Sequence, residues 1–145
     1  VDPGNAVLYR ANAEAGAAEI DVATAEVAEQ LAPHKMVPFV VFHDAFQYFE
    51  AHFGISAAGA IALGDAADPG PRRVAALRNL VRENAVACVF SEPQFNPSLA
   101  ATVIEGTDAR QAVLDPLGAG IHPGPNAYPA MVRQVGAGIA SCLGG

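Results

Sequence analysis

The sequence predicts an α/β fold: a four-stranded, mainly parallel sheet with helices on both faces, preceded by one long helix. Three observations predict it. Short apolar runs at 38–42, 56–63, 87–90 and 110–114 each stop abruptly and give way to a helical stretch, so strand and helix alternate four times. That alternation is the signature of a parallel sheet covered by helices. Proline and glycine stand at the joins where helices should open and close, and the stretch before the first apolar run is rich in Ala and Glu with nothing strand-like in it. A length of 145 residues is enough for one domain with a real core.

The elements follow in order. Asp2-Pro3 opens a helix expected from about Asn5 toward Leu31. Its Val7, Leu8, Ile20, Val22, Val27 and Leu31 are spread along an Ala/Glu-rich surface, as in a bracing helix rather than a core one. PFVVF, rich in Val and Phe, reads as a buried strand over 38–42. Asp44-x-x-Gln47 resembles a capping box and starts a helix that ends near Gly54. The run 56–63 is a weaker strand, diluted by Ala and Gly, and DAADPGP is a loop with Pro71 placed to open a helix toward Asn84. The third strand is 87–90. Asn96-Pro97 pairs an N-cap with a first-turn proline, for a helix ending at Gly106. The fourth strand is 110–114, and a Gly/Pro loop then leads to a final helix over 128–143.

Composition excludes some functions. The net charge is −7 and the few basic residues are scattered, whereas nucleic-acid binding needs clustered Lys and Arg. No apolar run approaches the roughly 18 residues of a membrane helix, so stable membrane insertion is not expected. The chain opens on Val1 without a signal-peptide pattern, and with a helix long enough to need something before it. It therefore reads as a processed chain or a piece of a longer one. In such a piece Val7, Leu8 and Tyr9 would be exposed and would favour association with another copy.

In a parallel α/β sheet, function gathers at the carboxyl ends of the strands. Here those ends carry His43, Gly64-Asp65, Ser91-Glu92 and Asp115. A histidine beside an apolar run is commonly structural, but at a strand end its neutral imidazole suits zinc or another borderline metal. Asp115, in LDPLG, is either a turn residue or an oxygen ligand. Glu92, in SEPQF, is either a solvated loop charge or the acceptor that orients a histidine ring. Asp44 is most simply a helix cap. His34 and His52 read as solvated, and His122, in a Gly/Pro loop, is a weaker candidate for the same edge. No HExxH, CxxC, P-loop or GxGxxG after a strand occurs. Gly54-Ile-Ser56-Ala-Ala58 misses the nucleophile elbow for want of a second glycine. An enzyme using His43, Glu92 and Asp115 for acid–base work is the competing reading. Cys88 and Cys142 leave two readings open, unrelated buried thiols or a bridge between a strand and the last helix.

Three blocks go further. FVVFHDAFQYFEAHFGI, CVFSEPQFNPSLAATVIEGT and LDPLGAGI…YPAMVRQVGAGIASCL resemble, in order and over nearly the whole chain, segments of the periplasmic zinc-binding proteins of bacterial zinc-uptake ABC transporters, the ZnuA type. The opening DPGNA resembles the start of that family's inter-lobe helix. The resemblance implies two α/β lobes joined by a rigid helix, with metal held in the cleft between them. It implies that 1–34 is the linker helix, that 35–145 is the C-terminal lobe, and that the N-terminal lobe lies outside these residues. His43 matches the histidine that this lobe gives to zinc. Asp115 matches an aspartate that coordinates metal in some relatives and stands back from it in others. Glu92 lies near the cleft as a supporting residue. Cys88 and Cys142 match a pair that some members join as a disulfide. Zinc is implied as the transported ion, an ABC permease as the partner and the periplasm as the location. Manganese or iron carriage is the alternative within the superfamily. Manganese carriers often have glutamate at the place of His43, and imidazole suits zinc better. With most ligands elsewhere, this chain alone should bind zinc far more weakly than an intact two-lobed protein.

Overall fold

The computed structural model describes residues 2–62 and 69–145. Helix α1 (Ala6–Leu31) is followed by β1 (Phe39–Val41), α2 (Gln47–Phe53), β2 (Gly59–Ala60), α3 (Pro71–Glu83), β3 (Cys88–Ser91), α4 (Ser98–Ile104), β4 (Arg110–Val113) and α5 (Ala127–Gly144). The sheet order is β2-β1-β3-β4 and every pairing is parallel. The expected alternation is therefore observed, with the boundaries shifted by one to three residues. The expected end of the second strand at Gly64-Asp65, and most of the loop before Pro71, lie outside the described residues.

Side-chain alternation divides the core in two, as the pleat requires. Phe39 and Val41 of β1, with Cys88 and Phe90 of β3, face α1, α2 and α5 through Val27, Leu31, Phe46, Phe53, Val135 and Ile139. Val40, Phe42 and Val89 face the other way, onto Leu77 and Val81 of α3 and Ala100 and Val103 of α4. Burial on both faces explains why PFVVF is a continuous apolar run rather than an alternating one. β4 is one edge strand and is largely exposed. β2 is shorter than the run 56–63 suggested, although the bonds from Ile61 N to Val41 O and Ala62 N to Phe42 O continue the edge beyond it.

The capping box at Asp44 is not formed. Gln47 donates to the Asp44 side chain at 2.7 Å, but neither side chain caps the helix, which begins at Gln47. The chain first bends, with Ala45 N bonded to His43 O at 2.9 Å, and this bend carries Phe46 into the core. Burying that ring wins over an earlier helix start. Gly54 does close α2, at φ +66°, in the left-handed cap that glycine adopts without strain. At α4 the helix forms where expected but is shorter, Ser98–Ile104 rather than to Gly106, and Pro97, not Asn96, stands at its N-cap; Asn96 Oδ1 accepts from Ser98 N at 3.0 Å, closing the turn just before the helix.

Helix α1 is docked only along its last turns, where Ala23, Val27 and Leu31 are buried, while Val7, Leu8, Tyr9 and Val22 are exposed. It packs on α5. There Gly136 lets Val27 approach so closely that a Cβ at position 136 would lie 2.6 Å from Val27 Cγ1. Glu26 and Arg133 form an ion pair across the same crossing at 2.5 Å. On the sheet side of α5, Cys142 is joined to Cys88 of β3 by a disulfide, with Cα atoms 6.2 Å apart.

Candidate metal site

The strand order sets where the site falls. From β1 the chain crosses to β2 on one side, while β3 lies on the other side and leads on to β4. The carboxyl ends of β1 and β3 thus open a crevice, the switch point at which α/β sheets hold ligands. The register fixes what meets there. Phe39 pairs with Cys88 and Val40 with Val89. Carried four residues along two parallel strands, that register brings His43 level with Glu92. The structure brings these two together: His43 Nδ1 lies 2.5 Å from Glu92 Oε1.

Glu92 is deeply buried and His43 only partly so, with side-chain exposures of 1% and 18%. A carboxylate only accepts, so Nδ1 carries a proton in this pair, and in the neutral ring the electron pair is then on Nε2. The imidazole also meets the Phe95 ring edge to face, with centroids 5.2 Å apart. Together with Ala45, Gln94, Pro116 and Leu117, these residues line a cleft of about 440 Å³.

Asp115 follows β4, buried beneath this cleft. Its Oδ1 accepts from Gln94 Nε2 at 3.1 Å and Leu117 N at 3.0 Å, and its Oδ2 from Ala119 N at 2.6 Å. Burial alone would raise its pKa. The bonds from Gln94 and from the backbone of Leu117, Ala119 and Gly118 outweigh burial and hold it below the ordinary carboxylate value. Asp115 therefore shapes the loop that forms the far wall of the cleft, and a metal at its oxygens would compete with those donors. His122 and His52 are exposed; His34, expected to be solvated, is instead half-buried at the end of the short turn Ala32–His34, beside Gly144 of α5; none of them lines the cleft. Among the described residues no group of three or more His, Cys, Asp or Glu side chains is placed to enclose a metal ion. Sequence reasoning missed Gln94 and Phe95. The signal was present, since both follow Glu92-Pro93 and Phe95 is an aromatic residue in a loop, but their targets become visible only in three dimensions.

Residues 1–142 match the family model described as zinc-uptake complex component A, periplasmic. The chain belongs to the ZnuA family. It is 46% identical over 142 residues to the high-affinity zinc uptake system protein ZnuA of Brucella abortus (strain 2308), covering 98% of this chain and 42% of that protein. It is 44% identical over 144 residues to the Paracoccus denitrificans protein of the same name, covering 99% of this chain and 44% of that one. The chain thus spans less than half the length of these ZnuA relatives. A crystal structure of ZnuA superposes with a TM-score of 0.81 at 26% identity, over 97% of this chain and 51% of that one. The manganese-bound binding protein FpvC of Pseudomonas aeruginosa gives 0.83 at 20% identity, over 99% of this chain and 52% of that one, which speaks to the fold alone. No helix among the described residues is long and apolar enough to cross a membrane.

Proposed function

We propose that this chain is the C-terminal half of a zinc-capturing solute-binding protein of the periplasm, which hands the ion to an ABC permease and makes or breaks no bond. Residues 1–34 are the helix linking two lobes, and 35–145 are the lobe that contributes His43. The observation that carries this reading is the His43–Glu92 pair at the switch point. Glu92 holds Nδ1, so in the neutral ring Nε2 is the donor atom, of a kind suited to zinc. Zinc takes four ligands. His43 supplies one, Asp115 is the second candidate within this chain, and the rest come from the N-terminal lobe. The lengths of the ZnuA relatives support such a lobe, since this chain covers 42% of the Brucella protein.

The test is a zinc titration against a chromogenic chelator. It is run on this chain, on a chain extended N-terminally to the length of its relatives, and on His43→Ala in the extended form. The reading predicts tight uptake by the extended protein only, weakened about a hundredfold by the substitution. Tight stoichiometric binding by the short chain, or indifference to His43→Ala, would refute it.

A further inference from the structure

The loop after β4 presents an exposed leucine on a fixed mount. Leu117 is 72% exposed, yet the backbone on either side of it is held from within. Its own N–H donates to Asp115 Oδ1 at 3.0 Å, and Ala119 N donates to Asp115 Oδ2 at 2.6 Å. Asp115 is itself buried, and Gln94 donates to it from the neighbouring loop. Pro116 fixes φ just before the leucine. Gly118 follows at φ +64°, where a Cβ would lie 3.2 Å from Ile121 Cδ1 and 3.5 Å from Met131 Sδ of α5. Ile121 N closes the turn on Gly118 O at 2.9 Å. The loop is thus fastened to the end of the sheet and packed on α5. A single exposed leucine needs no explanation. One held at the tip of an ordered loop, on the wall of a candidate site, is a different case, because loop tips with nothing to touch are ordinarily small, polar and mobile.

Position and chain length together say what covers it. Pro116 and Leu117 line the same cleft as His43, and with Ala45 and Phe95 they make much of its lining apolar and uncharged. A body that brings further ligands to His43 must come against this wall. The chain covers 42% of its Brucella relative, so the relatives hold more chain outside the match than within it. We propose that Leu117 is a contact point for the N-terminal lobe: the Asp115–Gly118 loop is a preformed stop, and an apolar patch of that lobe rests on the leucine when the cleft closes over the ion. This rests on the two-lobed reading given above, not on His43 being a ligand. Such a contact raises zinc affinity without touching the ion, since anything that favours the closed form favours the ligand held in it.

The experiment uses this chain and the chain extended N-terminally to the length of its relatives, both with ¹³C-labelled leucine methyl groups. Loss of signals in Leu117→Ser identifies those of Leu117. A neutral nitroxide in solution broadens the methyl signals it can reach. The Leu117 signals should be strongly broadened in this chain and protected in the extended protein with zinc chloride. In the chelator titration, extended Leu117→Ser should bind zinc about tenfold more weakly, the order expected for one leucine's apolar surface. Leu117→Met, which keeps the apolar bulk, should restore most of that affinity. The melting temperature of the short chain should be the same in all three, because the side chain is exposed there. Leu117 signals equally broadened in both proteins overturn the proposal, as does parent zinc affinity in Leu117→Ser where His43→Ala is weakened. Protection in the short chain that grows with its concentration would put a second copy on the leucine and overturn it too. Protected signals in an extended protein whose zinc affinity is indifferent to His43→Ala would uphold the contact and refute the reading of His43 instead.

Discussion

Glu50 lies half-buried on α2, its Oε2 accepting from Ala57 N at 2.9 Å while Oε1 is buried with no hydrogen-bond partner. Desolvation raises its pKa, and the nearby Asp44 charge adds to this against the lowering effect of the Ala57 bond. A carboxyl whose folded pKa is raised favours the folded state while protonated. Stability is therefore lost as pH rises from the ordinary carboxyl range through the folded pKa. Glu50→Gln cannot ionise, so its melting temperature should gain on that of the parent across this window and hold the gain at neutral pH, by the equivalent of about 0.5 kcal/mol for a partly solvated site. A constant difference from acid to neutral pH would show that Glu50 ionises freely. Asp115 has the opposite sign. Its depressed pKa adds stability at neutral pH that is lost as pH falls through the folded value. Asp115→Asn should remove that acid limb and destabilise by about 1 kcal/mol, since an amide replaces one of the accepting oxygens. Denaturant melts at several pH values would check both.

The same scale shows what could be read in advance. His43, Glu92 and Asp115 were legible because each ends a strand, and strand ends follow from the alternation of patterns. That Glu92 would touch His43, while Asp115 served its own loop, required the register Phe39↔Cys88, and sequence does not state a register between strands about fifty residues apart. Cys88 and Cys142 were undecided for the same reason. Their pairing depends on α5 lying across the face of β3 to which Cys88 points.

Among the elements, the contact of α1 with α5 is the most sensitive to a single atom. In an isolated helix Gly→Ala is favourable, by about 1 kcal/mol. At Gly136 the added methyl would meet both methyl groups of Val27 at 2.6 and 2.7 Å. Gly136→Ala should therefore destabilise by about 1–3 kcal/mol, and Val27→Ala in the same chain should recover part of that loss, a coupling readable in a double-mutant cycle. Additive effects would mean that the helices separate without strain. The disulfide acts on the same helix from its other side. Its 54-residue separation corresponds to about 4 kcal/mol in the chain-entropy view, so reduction, or Cys88→Ala with Cys142→Ala, should lower the urea midpoint substantially. Helix starts are legible where a proline sits in the first turn, as at Pro71, whereas the Asn96 cap expected for α4 is displaced to Pro97. The false capping box at Asp44 was not avoidable by pattern alone, because what overrode it was the burial of Phe46, a tertiary effect.

Over the whole molecule, stability is unevenly distributed. The sheet and its two apolar layers hold α2 to α5 and the last turns of α1, while residues 6–22 of α1 carry no buried side chain. Amide exchange should be fast through that segment and slow from Ala23 to Leu31, and uniform protection along α1 would show that it is covered, for instance by a second copy. The site follows the same division. His43 stands on the well-packed part and lines a cleft, as the proposed role of a ligand shared with a second lobe requires.

The most direct measurement is anomalous diffraction at the zinc edge from crystals of the N-terminally extended protein grown with zinc. The account predicts a peak about 2.0–2.1 Å from His43 Nε2, with Nδ1 still on Glu92 and Phe95 against the ring. A zinc peak distant from His43, or one that takes Nδ1 while Glu92 turns away, would contradict it.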